Sequence, residues 1–208
     1  MTMRAMQYDR LAEDFIKENP DGTIIQLGCG LDSRCNRVKA EYKIWYDVDF
    51  ADVIEIRSQY YPVSEKYKMI GSSVTDFTWL DKIEYCTDNV LILAEGLSMY
   101  LTENDIHNLF AQFKSHFNKS IFVFDAYSST ALKMSRFKNP VNAVNAKVSF
   151  SLDNPKIFEQ EKIKCFLNND IILPEYVSKL KGIYKNRFSF MGKFGAKFYR
   201  IYGYEINI

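Results

Sequence analysis

The chain has 208 residues, 47% of them hydrophobic and 25% charged, and these fractions are ordinary for one globular domain with a single core. Its 27 basic and 26 acidic residues leave a net charge of +1, which gives no electrostatic reason to expect a nucleic acid or an anionic membrane surface as a partner. No apolar run approaches the roughly 18 to 20 residues of a membrane span, and the four dispersed cysteines argue against a zinc site, so we expect one domain over residues 1–208, in a reduced, cytoplasmic setting and without a metal.

The first part of the chain alternates between helical and strand patterns. A helix is predicted over Met6–Glu18, and it ends at a turn, Asn19–Gly22, just before the first strand. Five segments have the pattern of strands, and they are Thr23–Gly28, Lys43–Asp49, Tyr67–Val74, Asn89–Gly96 and Ser120–Tyr127. Four of the five are apolar at their centres with little or no interruption, which is typical of parallel strands covered by helices on both faces.

A second clear helical pattern follows the fourth strand. Residues Thr102 to Asp105 resemble a capping box with aspartate in place of glutamate. Apolar residues then recur at helical spacing, namely Ile106, Leu109, Phe110, Phe113 and Phe117. The repetition of strand and helix predicts an α/β fold, a doubly wound and mostly parallel sheet of the Rossmann-like kind.

The last third of the chain changes character. It is irregular around Pro140, Pro155 and Pro174. Two β-rich pieces close it, residues 182–190 and 197–208, and the residues between them are few enough for a hairpin. We expect these pieces to add an antiparallel strand pair to the parallel sheet.

The first strand runs into a turn, Gly28-Cys29-Gly30, of the kind that holds a nucleotide cofactor. Ligands of open parallel sheets sit beyond the carboxyl ends of the strands, and glycine there permits a positive φ and a close approach of the backbone. Asp49 ends the second strand, where its carboxylate can accept hydrogen bonds from both hydroxyls of a ribose. Asp47, on the same face of that strand, is the alternative, and we prefer Asp49 because it lies nearer the carboxyl end.

Both NAD and S-adenosylmethionine proteins use such a ribose carboxylate, and the residues after the turn separate them. The dinucleotide fingerprint needs a third glycine for close helix packing under a pyrophosphate, and Ser33 followed by Arg34 stands there instead. S-adenosylmethionine has no phosphate. Glu95 follows the fourth strand, where its carboxylate can interact with the ammonium group and the positively charged sulfonium of S-adenosylmethionine. Burial of that carboxylate would require a cationic or donor-rich neighbour. An aromatic face such as Tyr100 favours the cationic donor.

Taken together, the following blocks resemble the leucine carboxyl methyltransferase family, including a bacterial branch named for a polyketide O-methyltransferase. They are "LGCGLDSRCNRV" (residues 27–38), "WYDVDFADVIEIR" (45–57), "GSSVTDFTWLD" (71–81), "LILAEGLSMYL" (91–101) and "FVFDAYS" (122–128). The resemblance implies a class I S-adenosylmethionine-dependent methyltransferase. It implies also that Gly28 and its neighbours hold the methionine part of the cofactor, and we include Cys29, Gly30 and Arg34 in that set.

The resemblance assigns further residues by position. It implies that Asp49 binds the ribose, that Ser73 and Val74 flank the adenine, and that Glu95 lines the centre of the site. Arg4 stands where the family has an arginine for the carboxylate of the cofactor. The family often has aspartate at the position of Ser73, so adenine recognition here would depend on a hydroxyl and backbone amides. Many relatives also carry helical residues before this arginine, so we expect a more open pocket, or one completed by residues 128–174.

The reaction expected is in-line methyl transfer to an oxygen, and Tyr100, Asp125 and Tyr127 are the side chains that we place nearest the acceptor as candidate catalytic residues. A carboxylate acceptor needs no base, whereas a phenol would. Both histidines lie inside the fourth crossover helix, which favours a carboxylate or an acidic enol of a small molecule or a peptide. The alternatives are a catalytically silent S-adenosylmethionine-binding module and an NAD-linked oxidoreductase. The sequence permits a homodimer without requiring one.

Overall fold

The computed structural model describes residues 2–84, 89–135, 148–183, 185–188 and 198–207. Its centre is a seven-stranded sheet of β1 (Thr23–Leu27), β2 (Ile44–Asp49), β3 (Tyr67–Gly71), β4 (Asn89–Ala94), β5 (Lys119–Tyr127), β6 (Ile163–Asp170) and β7 (Tyr199–Ile206). The strand order is β3-β2-β1-β4-β5-β7-β6. Neighbouring strands from β3 to β5 pair in parallel, and β7 runs antiparallel to both β5 and β6. The predicted doubly wound, mostly parallel sheet is confirmed.

Apart from the helical residues 182–183 and 185–188, the described part of the chain has six α-helices around the sheet. They are α1 (Thr2–Glu18), α2 (Arg34–Arg37), α3 (Ala51–Ser58), α4 (Glu103–His116), α5 (Ser129–Ser135) and α6 (Pro174–Ser178). Short 3-10 helices lie at Phe77–Lys82, Ser98–Tyr100 and Pro155–Phe158. Within the described part of the chain, no helix has the length and apolar character that crossing a bilayer requires. Those residues also contain no group of three or more histidine, cysteine or acidic side chains arranged for a metal ion.

The two faces of the sheet bury different sets of side chains. On one face α1 packs an apolar stripe of Tyr8, Ala12, Phe15 and Ile16 over β1, β4 and β5. On the other face the helix α4 places Phe110 among rings from β5, β7 and the segment before β6, with ring centroids 4.9–6.3 Å apart. Because both faces are covered, β1 and β4 are apolar at consecutive positions, as the sequence predicted.

The prediction of a strand at residues 182–190 is wrong. The described residues there, 182–183 and 185–188, are helical, and the expected hairpin loop at residues 191–196 lies outside the described residues. The antiparallel partner of β7 is β6, in the stretch that the sequence indicated to be irregular. Two asparagines and an aspartate lower the strand propensity of β6, and its alternating burial is that of an edge strand.

Helix α4 begins with the predicted capping box. Asp105 N donates to Thr102 Oγ1 at 3.1 Å, and Thr102 N donates to Asp105 Oδ2 at 2.8 Å. We expect Thr102→Ala to lower the free energy of unfolding by about 1 kcal/mol, because Asp105 N loses the hydroxyl that accepts its hydrogen bond. Urea denaturation followed by circular dichroism measures this. Ser115→Ala, in the last turn of the same helix, is the control and should change the stability by less than about 0.5 kcal/mol; equal losses in the two variants would contradict the capping role.

Candidate functional site

The carboxyl end of β1 turns sharply beside the end of β2. Gly28 and Gly30 have φ angles of +63° and +50°, in the left-handed region that glycine occupies without a steric penalty. Gly30 N donates to Asp49 Oδ2 at 2.7 Å, and Phe50 N donates to Asp49 Oδ1 at 2.8 Å. The Asp49 carboxylate is therefore fixed by two backbone donors at the edge of the sheet, and each oxygen keeps capacity for another donor.

A cavity of about 530 Å³ opens next to this turn. Gly28 and Asp49 form part of its wall, together with Phe50, Ser72, Ser73, Val74, Thr75, Leu97, Tyr100, Leu101 and Asp105. A Cβ atom at Gly28 would lie 3.1 Å from Leu97 Cδ1, which is tighter than ordinary van der Waals contact. The absence of a side chain at Gly28 thus keeps this wall of the cavity clear.

An ionic cluster lies between α1 and the ends of β4 and β5. Arg4 Nε donates to Glu95 Oε1 at 2.7 Å, and Arg4 Nη1 donates to Asp125 Oδ2 at 2.9 Å and to the Tyr199 hydroxyl at 2.7 Å. Gly96 N donates to Asp125 Oδ1 at 2.6 Å, and the Tyr199 hydroxyl donates to Asp125 Oδ2. The first turns of α1 are thereby fastened to two strand ends across the top of the sheet.

Arg34 extends this cluster toward the glycine turn. Its side chain is fully buried, and its guanidinium donates to Asp9 Oδ1 at 2.9 Å and to Glu95 Oε2. Its Nη1 atom lies 2.9 Å from Asp32 Oδ2, although the angle does not make a hydrogen bond. Glu95 is consequently shared between two arginines, which supplies the cationic neighbours that its burial requires.

Burial and neighbouring charges together shift the pKa values of the groups in this cluster. It raises the pKa of Asp125, and the Arg4 guanidinium and the Tyr199 hydroxyl oppose that rise. Burial, with Asp125 beside it, also raises the pKa of Tyr199, so this phenol stays protonated. For Arg4, burial alone would lower the pKa, but Asp125, Tyr199 and Glu95 outweigh it and raise the pKa above its usual value. Arg4 therefore remains a cation.

The structure divides the predicted site residues between two places. Those that line the cavity are Gly28, Asp49, Ser73, Val74 and Tyr100, and Cys29 and Gly30 lie in the turn behind it. Those in or next to the ionic cluster are Arg4, Arg34, Glu95, Asp125 and Tyr127. Asp47 is fully buried and paired with Arg57, so the strand-end position of Asp49 is the one that reaches the cavity.

Two of the candidate catalytic residues are less accessible than the sequence suggested. Asp125 is fully buried and occupied by four donors, from Arg4, Gly96, Tyr199 and Tyr8, so it holds other groups in place. Tyr127 is half-buried and stacks on Tyr199 with ring centroids 4.4 Å apart. Tyr100 remains 41% exposed at the cavity wall.

Sequence reasoning missed several members of the ionic cluster, namely Tyr8, Asp9, Asp32, Arg37 and Tyr199. The signal that was available is Asp125 itself, a carboxylate in an otherwise apolar strand, which implies that donors must come from elsewhere in the fold. The sequence does not say which donors, because Tyr8 and Tyr199 lie 117 and 74 residues away along the chain.

Comparisons with known proteins agree with this geometry. The profile of the family described as leucine carboxyl methyltransferase matches residues 1–114. The chain is 36% identical over 160 residues to the tetracenomycin polyketide synthesis O-methyltransferase TcmP of Streptomyces glaucescens, covering 76% of this chain and 59% of that protein. It is 33% identical over 170 residues to the S-adenosyl-L-methionine-dependent methyltransferase dpfgK of Gibberella zeae, covering 75% of this chain and 57% of that protein. The chain thus spans less than two thirds of the length of these relatives.

A solved structure shows the same fold at low identity. The N-methyltransferase NodS from Bradyrhizobium japonicum superposes with a TM-score of 0.62 and 9% identity, over 100% of this chain and 98% of that one. At this identity the similarity establishes the fold alone. The family match concerns residues that include the glycine turn, Asp49 and Glu95, so sequence and geometry point to the same end of the sheet.

Proposed function

Because the chain belongs to the leucine carboxyl methyltransferase family, we propose that it transfers the methyl group of S-adenosylmethionine to an oxygen atom of a small molecule or a peptide carboxylate. The observation that carries the proposal is the Asp49 carboxylate, held by two backbone donors at the wall of a cavity of about 530 Å³. This volume lies within the roughly 300–1,000 Å³ of small-molecule sites.

The cavity fits the adenosine half of the cofactor. Asp49 has acceptor capacity left for two ribose hydroxyls, and each such bond to a charged acceptor contributes roughly 1.5–3 kcal/mol. Ser73 and Val74 lie in the same wall, where they can flank an adenine. The Ser73 hydroxyl already pairs with Thr75 Oγ1 at 2.9 Å, so backbone groups would carry part of the recognition.

The charge of the ionic cluster fits the methionine half. When bound, the cofactor supplies an electrophilic methyl group on a sulfonium, and its ammonium adds a second positive charge. Three arginines, Arg4, Arg34 and Arg37, face four carboxyl groups, Asp9, Asp32, Glu95 and Asp125, so the connected set has a formal charge of −1 when all of these groups are ionised. A negative cluster attracts a cationic ligand. Arg4 still has Nη2 beside Gly96, without a hydrogen bond to any described residue, and this atom can receive the carboxylate of the cofactor.

The side chains near the expected acceptor position orient rather than deprotonate it. Burial raises the pKa of Tyr127, so its hydroxyl is neutral and can donate to an acceptor oxygen. Asp125 is occupied by its donors, and Tyr100 offers a ring at the cavity wall. With no base among these groups, a carboxylate or an acidic enol is the acceptor that we favour, since it is ionised at neutral pH. The name of TcmP adds polyketide acids to the compounds worth screening.

We expect Asp49→Ala to weaken binding of S-adenosylhomocysteine by about tenfold or more, because two charge-assisted hydrogen bonds to the ribose are lost. Calorimetric titration measures the affinity, first in the wild type and then in the variant. Asp52→Ala is the matched control. Asp52 is an exposed carboxylate three residues further on, and it accepts a hydrogen bond from Val53 N at 2.9 Å in the first turn of its own helix. Its affinity should stay within about twofold of the wild type.

Titration with S-adenosylhomocysteine and with NAD, followed by a screen of methyl acceptors, separates the alternative functions. Binding of NAD in place of S-adenosylhomocysteine would support the oxidoreductase and overturn the proposal. Binding of S-adenosylhomocysteine without methyl transfer to any carboxylate, enol or phenol in a panel would support the silent binding module. We further propose that one domain over residues 1–208 carries the activity in a reduced, cytoplasmic setting, supported by the free thiols of Cys29, Cys35 and Cys165. A homodimer stays a prediction, which light scattering can test.

A further inference from the structure

Arg57, on α3, is fully buried although it carries a charge. Its guanidinium is satisfied from several sides at once. Arg57 Nε donates to Asp47 Oδ2 at 2.9 Å and to the Tyr67 hydroxyl at 3.0 Å, and Nη2 donates to Asp47 Oδ2 at 2.5 Å. The ring of Tyr61 covers one face, with its centroid 4.3 Å from Arg57 Cζ. An arginine held this tightly has one orientation.

The remaining donor of Arg57 reaches the glycine turn. Arg57 Nη1 donates to the carbonyl oxygen of Gly30 at 3.0 Å. Gly30 N donates in the opposite direction, to Asp49 Oδ2 at 2.7 Å. The amide and the carbonyl of one residue are therefore both fixed, which holds Gly30 at its φ of +50°. Without the bond from Arg57 to its carbonyl, Gly30 would have many accessible conformations. Its amide would then be held toward Asp49 only by the hydrogen bond that the amide itself donates.

The charge of Arg57 depends on Asp47. Burial alone would lower the pKa of Arg57, but Asp47 more than offsets this and raises it. Asp47 is itself bonded by Trp45 Nε1 at 2.9 Å, so its carboxylate cannot turn away from the arginine. The Tyr61 hydroxyl adds a second anchor on the turn, since it donates to Leu31 O at 3.1 Å.

We propose that Arg57 is a positioning residue for cofactor binding. It holds the Gly30 carbonyl, Gly30 thereby presents its amide to Asp49, and Asp49 is aimed at the ribose. The naming of the ribose rests on the proposed function, whereas the effect on Gly30 does not. Asp47 then acts as the anchor of Arg57, which explains why a second carboxylate stands two residues before Asp49 on the same strand.

The test compares Arg57→Lys with Ser58→Ala. Lysine keeps the charge, but a single ammonium cannot reproduce the fork that reaches both Asp47 and Gly30. We expect Arg57→Lys to weaken binding of S-adenosylhomocysteine by about tenfold or more, because a pre-organised turn is lost. The amide resonance of Gly30 should also move in a proton–nitrogen correlation spectrum of the free protein. Ser58→Ala, at the next position of the same helix, removes an exposed hydroxyl that donates to Glu55 O at 2.8 Å and leaves every bond of Arg57 in place, so it should retain the affinity within about twofold and the resonance.

The readouts separate the two proposals. A wild type that binds no S-adenosylhomocysteine defeats the proposed function, and the Gly30 resonance then decides the role of Arg57 alone. A folded Arg57→Lys protein with wild-type affinity and an unmoved Gly30 resonance overturns the positioning role. If that variant does not fold, the Arg57 side-chain nitrogen resonances of the wild type are followed during titration with S-adenosylhomocysteine. They should shift on binding, and their constancy would overturn the proposal.

Discussion

Arg4→Met is expected to lower the free energy of unfolding by about 3–5 kcal/mol at neutral pH, because it leaves the buried Asp125 carboxylate without its cation and takes from Glu95 one of its two arginines. Asp125 is fully buried and Glu95 is 13% exposed, so water cannot replace the guanidinium at either site without opening the first turns of α1. Methionine keeps the length and the apolar stem of the side chain, so the loss reports mainly on charge. Urea denaturation at two pH values measures it.

The pH dependence has a defined sign. Burial raises the pKa of Asp125, and in the variant the opposing effect of Arg4 is gone, so the pKa rises further. A carboxyl group whose folded pKa exceeds its unfolded value contributes stability that is present below the unfolded pKa and lost as the pH rises through the folded pKa. The deficit of Arg4→Met should therefore be largest near neutral pH and shrink as the pH falls toward about 4.

The control is Arg10→Met on the same helix. Arg10 also faces two carboxylates, Asp14 at 3.6 Å and Glu175 at 3.4 Å, but its side chain is 65% exposed. Exposed pairs of this kind contribute about 0–1 kcal/mol. A deficit in Arg10→Met as large as that in Arg4→Met, or one in Arg4→Met that does not change with pH, would contradict the structural role of the buried cluster.

Gly28→Val should strongly weaken cofactor binding while the protein still folds. A side chain at a φ of +63° costs about 1–2 kcal/mol, and packing it against Leu97, 3.1 Å from the new Cβ, costs about 1–3 kcal/mol more. The turn can escape both costs by moving into the cavity, and binding must then reverse that movement. We expect the affinity for S-adenosylhomocysteine to fall by about thirtyfold or more.

Gly182→Val provides the comparison for Gly28→Val. Gly182 has a φ of +60°, and nothing lies within 4 Å of the Cβ that would be added there. The backbone penalty is therefore the same, but the cavity is untouched, so this variant should be slightly less stable and bind normally. Calorimetry and thermal unfolding of both variants give the answer. Loss of binding in both would mean that stability, rather than the shape of the turn, controls the site.

The sequence predicted those parts of the fold that local patterns determine. The apolar centres of β1, interrupted only by Gln26, and of β4 correctly indicated strands covered on both faces, and the box at Thr102 correctly located the start of α4. The strand β6 was missed because it ends in three consecutive polar residues, Asn168 to Asp170, and places the apolar Phe166 on its exposed face, so polar and apolar residues do not alternate. Its identity as the partner of β7 is a property of the tertiary structure.

The site could be predicted in the same uneven way. Asp49 follows from its place at a strand end, and the structure puts it at the cavity wall. The pairing of Arg4 with Asp125 could not be deduced, because 121 residues separate them along the chain. That contact depends on the apolar stripe of α1, which docks the helix over the sheet and so fixes where its charged residues lie. Their binding roles remain predictions.

The place of β7 in the sheet has a consequence for folding during synthesis. β7 inserts between β5 and β6, and residues 199–206 pair with residues 120–127. During synthesis, the edge of β5, which carries Phe122 and Phe124, therefore stays unpaired until β7 has left the ribosome. A hydrophobic open edge is a template for pairing with other chains. Nascent chains stalled before Tyr199 should thus depend on chaperones, and chains that extend beyond Ile206 should acquire protease resistance late and in a single step.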